Sequence, residues 1–347
     1  MRVLVTGHHG YIGSVLAPAL REAGHDVAGL DVFYYRGCDF GTADEHQPAL
    51  DLDVRDVRPA DLEGFDAIVH LAALSNDPIG DLNPSWTYAI NRDATIALAH
   101  AAKSARVRRF VFSSSCAMYG AAKGDTELAE DAPLRPLTAY AESKASAETA
   151  LHDLVDDGFA TVAMRNATVY GVSPRLRLDI VLNNLVAWAH ATGAIRLQSD
   201  GSSWRPLIHV QDVARAAIAL LDAPHDAVCG EVFNVGSHVQ NYRIRELAEI
   251  VHRRIPRCDV TFAEAAQPDP RSYRVDFSKF ESAFPEFQFE WTPERGTDEL
   301  VQAYEAAGLT FDDFEGHRYV RLRRLKGLLD AGELDDDLRW ATHRVST

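Results

Sequence analysis

Residues 1–31 read MRVLVTGHHGYIGSVLAPALREAGHDVAGLD, and this stretch decides the fold. Val3 to Val5 form an apolar strand that opens into Gly7, Gly10 and Gly13. A helical pattern follows to about Ala23, then a second strand ending on Asp31. Glycines let a backbone turn tightly and approach a pyrophosphate, which rests on the positive N-terminal end of the helix. An acid about twenty positions on accepts hydrogen bonds from an adenosine ribose. The spacing is G-x-x-G-x-x-G, not the G-x-G-x-x-G of the commonest dehydrogenases. A tight turn without a ligand is the alternative for the glycines alone. Strand, loop, helix, strand and acid in one unit predict a dinucleotide site.

The chain has 347 residues, enough for one large domain or two intimate ones. Its formal net charge of −16 disfavours nucleic acid and anionic membrane as partners. An anionic substrate must then be captured by local arginines, the better forks for phosphate. Cys38, Cys116, Cys229 and Cys258 lie far apart and predict neither a disulfide framework nor a metal site. A core strand at the N-terminus predicts no signal peptide, no apolar run is long enough to span a bilayer, and a cytoplasmic setting is expected.

Candidate strands at 2–6, 26–31, 67–72, 109–115 and 160–166 alternate with helical stretches, notably 85–105 and 138–157. This rhythm predicts an α/β fold, a doubly wound parallel sheet with helices on both faces. Beyond about residue 172 the pattern loosens, with RPLIHV and EVFNVG as short strands and 211–222 and IRELAEIVHRRI as helices. The expected organisation is a dinucleotide-binding domain over 1–171, a smaller and less regular substrate lobe over 172–307 with some segments returning to the first domain, and a helical appendage over 308–347. The appendage reads as a packing or dimer-contact tail.

Tyr140 and Lys144 lie four residues apart in TAYAESKASAE and share one helix face. A nearby ammonium favours the phenolate, which makes the pair a candidate acid/base unit. A surface pair is the alternative. Strand 109–115 ends in Ser113, Ser114 and Ser115, at the sheet edge where ligands bind.

With these residues in view, the chain resembles the extended short-chain dehydrogenases/reductases, in their nucleotide-sugar epimerase and dehydratase branch. TGHHGYIG, DLDVRD, HLAAL, SSSCAMYG, YAESK, RNATVYG, NNLV, DGSSWRPLIHVQDVA and VFNVG fall in the family's order. The resemblance implies a Rossmann-type fold, NAD as cofactor, a nucleoside-diphosphate sugar as substrate, and a homodimer formed through 85–105 and 138–157. By that resemblance Gly7, Gly10 and Gly13 hold the pyrophosphate, with amides of Tyr11 and Ile12. Asp31 holds the ribose, and its charge favours NAD over NADP. Asp53 and Val54 flank adenine, while Leu71, Ala72 and Ala73 lie under the nicotinamide ribose, and Asn91 is placed with this set. Ser115, Tyr140 and Lys144 match the catalytic triad. Asn184 and Leu185 match the segment that meets the diphosphate, and Arg205 and Arg271 its arginines.

The departures narrow the reaction. The family's 4,6-dehydratases carry Asp and Glu after the catalytic serine or threonine, and its decarboxylases a Glu at the second position. Here those positions are Cys116 and Ala117. Cys116 stands one residue from the cysteine base of the 3,5-epimerases, so a buried structural role is the expectation, with the sugar as the alternative. Ser75, Asn76 and Asp77 either hydrogen-bond the sugar or cap the next helix. Thr168 replaces an asparagine common in 4-epimerases. The expected activity is epimerisation at C4 through a 4-keto sugar. A net C4 reductase or dehydrogenase is the alternative, and a non-catalytic dinucleotide sensor a third.

Overall fold

The computed structural model describes residues 1–41, 48–121, 126–264 and 266–341. Seven parallel strands build the central sheet: β1 (Arg2–Thr6), β2 (Asp26–Asp31), β3 (Ala49–Asp51), β4 (Ala67–His70), β5 (Arg109–Ser115), β6 (Ala160–Asn166) and β7 (Val232–Val235). Their spatial order is β3-β2-β1-β4-β5-β6-β7. The chain winds outward from β1 in one direction and from β4 in the other. The crevice therefore opens where the carboxyl ends of β1 and β4 part. This is the Rossmann-type, doubly wound α/β arrangement. Strands β4 and β6 are buried along their whole length, as central strands of a sheet covered on both faces.

Alternation along β1 sends Val3 and Val5 to one core cluster and Leu4 to another. The first cluster lies under the helices Gly13–Glu22 and Val210–Asp222. The second lies under Ala94–Ser104 and Ala139–His152. Helix 210–222 and strand β7 thus belong to the sheet layers although they follow residue 172. A third cluster fills the remaining lobe, around the helices Val181–Thr192, Ile244–Arg254 and Pro293–Ala307. Among the described residues no helix is long and apolar enough to cross a membrane.

Three local readings differ from the structure. The 85–105 stretch is not one regular helix: Pro84–Thr87 and Ala94–Ser104 are α-helical, and Tyr88–Asp93 between them makes wider π-type turns. That widening turns Asn91 inward, where Oδ1 accepts from the Leu74 amide at 2.8 Å and Nδ2 donates to the Leu74 carbonyl at 3.1 Å. The strand expected over 67–72 ends at His70, and Leu71 to Ala73 leave the sheet to line the crevice. Strand β3, three exposed residues at the sheet edge, gave no periodic signal.

The appendage is part of the core. Helix Arg321–Asp330 and the segment after it place Leu325, Leu328, Leu334 and Leu338 in the second cluster, beside Leu98 and Phe110.

The glycine loop is set by space. Gly7 adopts φ +73°, and a Cβ there would stand 2.7 Å from the Ala72 amide nitrogen. A Cβ on Gly13 would stand 2.3 Å from the Gly7 carbonyl oxygen and 2.5 Å from the His8 Cα. Backbone atoms on both sides leave nothing flexible to yield. Gly13→Ala is expected to cost about 2–3 kcal/mol of stability in urea unfolding.

Candidate active site

The carboxyl ends of β1, β2, β4, β5 and β6 open on one cavity of about 970 Å³. Gly7, Gly10, Tyr11, Ile12 and Gly13 form its floor. No described hydrogen bond uses the amides of Tyr11 or Ile12, and helix Gly13–Glu22 has no side-chain cap at its start. Free amides, a helix dipole and a backbone surface that no Cβ obstructs suit a pyrophosphate. Asp31 ends β2 at the same wall, held by the amides of His9 at 3.0 Å and Phe33 at 2.8 Å. Asp53 and Val54 close the adenine side. Asp53 pairs with Arg55 at 2.6 Å and Arg339 at 3.4 Å. Burial alone would raise its carboxyl, but Arg55 holds it below the usual carboxylate range. These residues fit the adenosine and pyrophosphate of NAD.

Leu71, Ala72 and Ala73 lead along the cavity to the catalytic candidates. Ser115 ends β5, and its Oγ accepts from the Ala117 amide at 3.1 Å. Tyr140 stands in the first turn of helix Ala139–His152, which Thr138 caps by accepting from the Ala141 amide. Burial pushes the Tyr140 phenol up to about 12, and a hydrogen bond with Ser115 pulls the other way. Lys144, one turn later, is 2 % exposed; its Nζ donates to the Ser113 carbonyl at 2.7 Å and lies 4.6 Å from the Phe112 ring centre. Burial pushes its ammonium down to about 7. Asn166 adjoins this group, with Nδ2 on Ser113 Oγ at 3.0 Å and a buried Oδ1 that has no partner.

The substrate-side residues meet across the cleft. Thr168 lines the wall and is hydrogen-bonded to Tyr273, a wall residue the sequence did not mark. Arg205 pairs with Asp269 at 3.0 Å, and Arg271 pairs with Asp269 at 2.9 Å and with Asp77 at 2.7 Å. Burial would raise Asp269, but Arg271 and Arg205 hold it low. Asp77 also accepts from Thr138 Oγ1 at 2.8 Å, so the Arg271–Asp77 pair ties the lobe to the helix that carries Tyr140. Asn184 and Leu185 line the same end. The Asn184 Nδ2 donates one of its two hydrogens to the Leu178 carbonyl at 2.8 Å, leaving the second hydrogen and Oδ1 for a ligand.

Cys116, Asn91, Asn76 and Ser75 each hold part of the fold, and the last two also line the cavity. Cys116 does not reach the cavity: its thiol donates to the Arg165 carbonyl at 3.0 Å, and burial pushes its pKa far up. One residue's shift along the chain from Ser115 turns it into the core. Asn91, also away from the wall, fixes Leu74 instead of touching a ligand. Asn76 lines the cavity but caps helix Asp77–Leu82 through Oδ1 and donates to Asp179 at 2.5 Å. Ser75 Oγ accepts from Arg177 Nη1 at 2.9 Å, and Arg177 pairs with Asp179. Arg177 and Arg321, both at the wall, carried no readable signal. Neither belongs to a motif, and the contacts of Arg177 with Ser75 and of Arg321 with Arg175 join residues more than a hundred positions apart.

Comparison with known proteins gives this geometry its context. Residues 3–236 match the sequence model of the NAD-dependent epimerase/dehydratase family. A UDP-glucose 4-epimerase of Corynebacterium glutamicum is 30 % identical over 267 residues, 72 % of this chain and 79 % of that protein. TunA, an NAD-dependent NDP-hexosamine 5,6-dehydratase of tunicamycin biosynthesis, superposes with a TM-score of 0.78 at 25 % identity, over 88 % of this chain and 98 % of its own. MoeE5 in complex with UDP-glucuronic acid and NAD gives 0.76 at 26 % identity, over 88 % of this chain and 100 % of its own. The chain belongs to the NAD-dependent epimerase/dehydratase family and is an enzyme whose cofactor is NAD.

Proposed function

We propose that the protein epimerises a nucleoside-diphosphate sugar at C4, through transient oxidation to the 4-keto sugar. The observation that carries this reading is the set of groups around Tyr140. Ser115, Tyr140 and Lys144 converge there, while position 117 is alanine and the side chain at 116 is turned into the core. The lining carboxylates Asp77, Asp179 and Asp269 are each paired with arginine. Loss of water or carbon dioxide asks for a further acid/base group beside the sugar, and among the described residues this part of the wall offers no carboxylate without an arginine partner. The similarity to a UDP-glucose 4-epimerase supports the same reading.

When bound, the dinucleotide supplies the hydride acceptor and donor. Tyr140 takes the proton of the C4 hydroxyl and returns it to the keto oxygen. Ser115 donates a hydrogen bond to that oxygen in both directions. Lys144 holds positive charge beneath the phenol and lowers the cost of the phenolate. Arg205 and Arg271 exchange their carboxylate partners for the substrate diphosphate, a change of anion rather than a new desolvation.

Tyr140→Phe should lower turnover at least about 1,000-fold while the purified protein still carries NAD. The assay is interconversion of UDP-glucose and UDP-galactose, then of dTDP- and GDP-hexoses, with no NADH added. Steady consumption of NADH without an epimeric product would replace this reading by the net C4 reductase. Arg271→Ala should raise KM about 10- to 100-fold and change kcat little, because the arginine grips the unreacting diphosphate.

Lys144 predicts a conflict between stability and activity. Its ammonium titrates at about 7 in the fold against 10.5 in the open chain. Between these values the unfolded chain binds more protons, so the lysine's contribution to stability rises with pH across that window. Lys144→Met in the ligand-free protein should melt no lower than wild type at pH 7 and lose part of the rise toward pH 10. Its turnover should fall at least about 100-fold.

A further inference from the structure

The appendage brings a buried cation to the cofactor cavity. Arg321 is 5 % exposed, yet it lines the cavity. Its guanidinium lies 3.9 Å from the Tyr35 ring centre, Nη2 donates to the Arg175 carbonyl at 3.0 Å, and Nη1 has no hydrogen-bond partner. The neighbouring arginines are neutralised: Arg175 pairs with Asp39 and Arg177 with Asp179. No described carboxylate lies within ion-pair distance of Arg321. A buried charge without a counter-ion is costly, and such a charge facing a cavity is satisfied when the ligand is an anion.

The anion follows from where Arg321 sits. The Arg175 residue beneath it is bound to the glycine loop, its side chain on His9 and its amide on Ser173 Oγ at 3.1 Å. Ser173 Oγ in turn donates to the Tyr11 carbonyl at 2.7 Å. The Arg321 charge acts on His9 of the glycine loop and on Asp31 at the adenosine wall, which puts the guanidinium near the loop whose Tyr11 and Ile12 amides make no described hydrogen bond. The same segment braces the adenosine side of the cavity. Tyr34 Oη donates to the Leu338 carbonyl at 2.5 Å, and Trp340 Nε1 donates to the Val32 carbonyl at 2.6 Å.

We propose that Arg321 is a further cofactor-binding residue, delivered by the C-terminal helix, whose guanidinium receives the dinucleotide pyrophosphate and makes the appendage a clamp on NAD. The clamp concerns cofactor affinity alone, so its test is independent of which sugar is epimerised.

The experiment compares full-length wild type, Arg321→Met, Arg321→Lys and Arg323→Gln. Methionine keeps a stem over Tyr35 and removes the charge; Arg323 is a half-exposed appendage arginine paired with Glu315, away from the cavity. Calorimetry on cofactor-stripped protein measures affinity for NAD, NADP and UDP, and released NAD is quantified from fresh preparations. In Arg321→Met, NAD affinity should fall about 10- to 100-fold and co-purified NAD should drop, with UDP affinity and the ligand-free melting temperature held. Lysine should recover most of the NAD affinity, and Arg323→Gln should match wild type. Unchanged NAD affinity in Arg321→Met overturns the proposal. So does a loss confined to UDP, which assigns the cation to the substrate diphosphate, or to NADP, which assigns it to a 2′-phosphate. If Arg321→Met does not fold, Arg321→Gln decides on the same measurements.

Discussion

The structure depends on one close approach, that of the glycine loop to the end of β4. Gly7 turns at positive φ with its Cα against the Ala72 amide, and Gly13 starts its helix against the Gly7 carbonyl. No side chain fits between these backbones. Because they touch, the first helix points its free amides into the crevice, and Leu71 to Ala73 run along the crevice wall. Thr6 and His70 lock the approach from behind, with Thr6 Oγ1 2.6 Å from His70 Nδ1 and Thr95 Oγ1 2.8 Å from the other ring nitrogen. Burial keeps that imidazole neutral, at a pKa of about 3, so the lock does not change with physiological pH.

Around this floor, charge is arranged by pairing. The wall carboxylates meet arginines or backbone amides, and beside the reacting end the titratable groups without a counter-charge are Tyr140 and Lys144. Burial moves both toward their neutral forms. The fold therefore opposes the ionised state that proton transfer from a sugar hydroxyl requires. Residues chosen for the fold alone would relieve that opposition, whereas residues chosen for the reaction keep it, and the helix bearing them is stabilised elsewhere. Glu148 on that helix holds Arg165 at 2.5 Å and accepts from Ser114 at 2.8 Å, tying it to β5 and β6.

What the sequence disclosed is what local chemistry encodes. Gly7, Gly13 and Asp31 are legible because a pyrophosphate site needs no side chain at one point and an acid at another, within thirty residues. Tyr140 and Lys144 are legible because a helix places them on one face. Asn76 was ambiguous for a physical reason: an asparagine before a helix can cap it or meet a ligand, and the cap is the state the structure shows. Asn91 escaped as a positioning residue because π-type turns, which no periodicity announces, point it inward. Arg177 and Arg321 escaped because their neighbours are set by the folded chain. The buried role expected for Cys116 was legible, since one step past Ser115 separates a wall from a core.

The acidic surface gives these pairings a further meaning. At a net charge of −16, the protein's overall field repels a nucleotide sugar as well as a dinucleotide. Binding must then be local, and guanidinium groups held against carboxylates supply it. Asp77 and Asp269 hold Arg271 and Arg205 in place, so under the proposed reading the diphosphate finds its forks already oriented. The carboxylates it displaces lie partly in water, where they are cheaply rehydrated. Asp77 also joins Arg271 to Thr138, at the start of the helix that carries Tyr140. The same carboxylate thus anchors both the resting position of the arginine and the start of that helix.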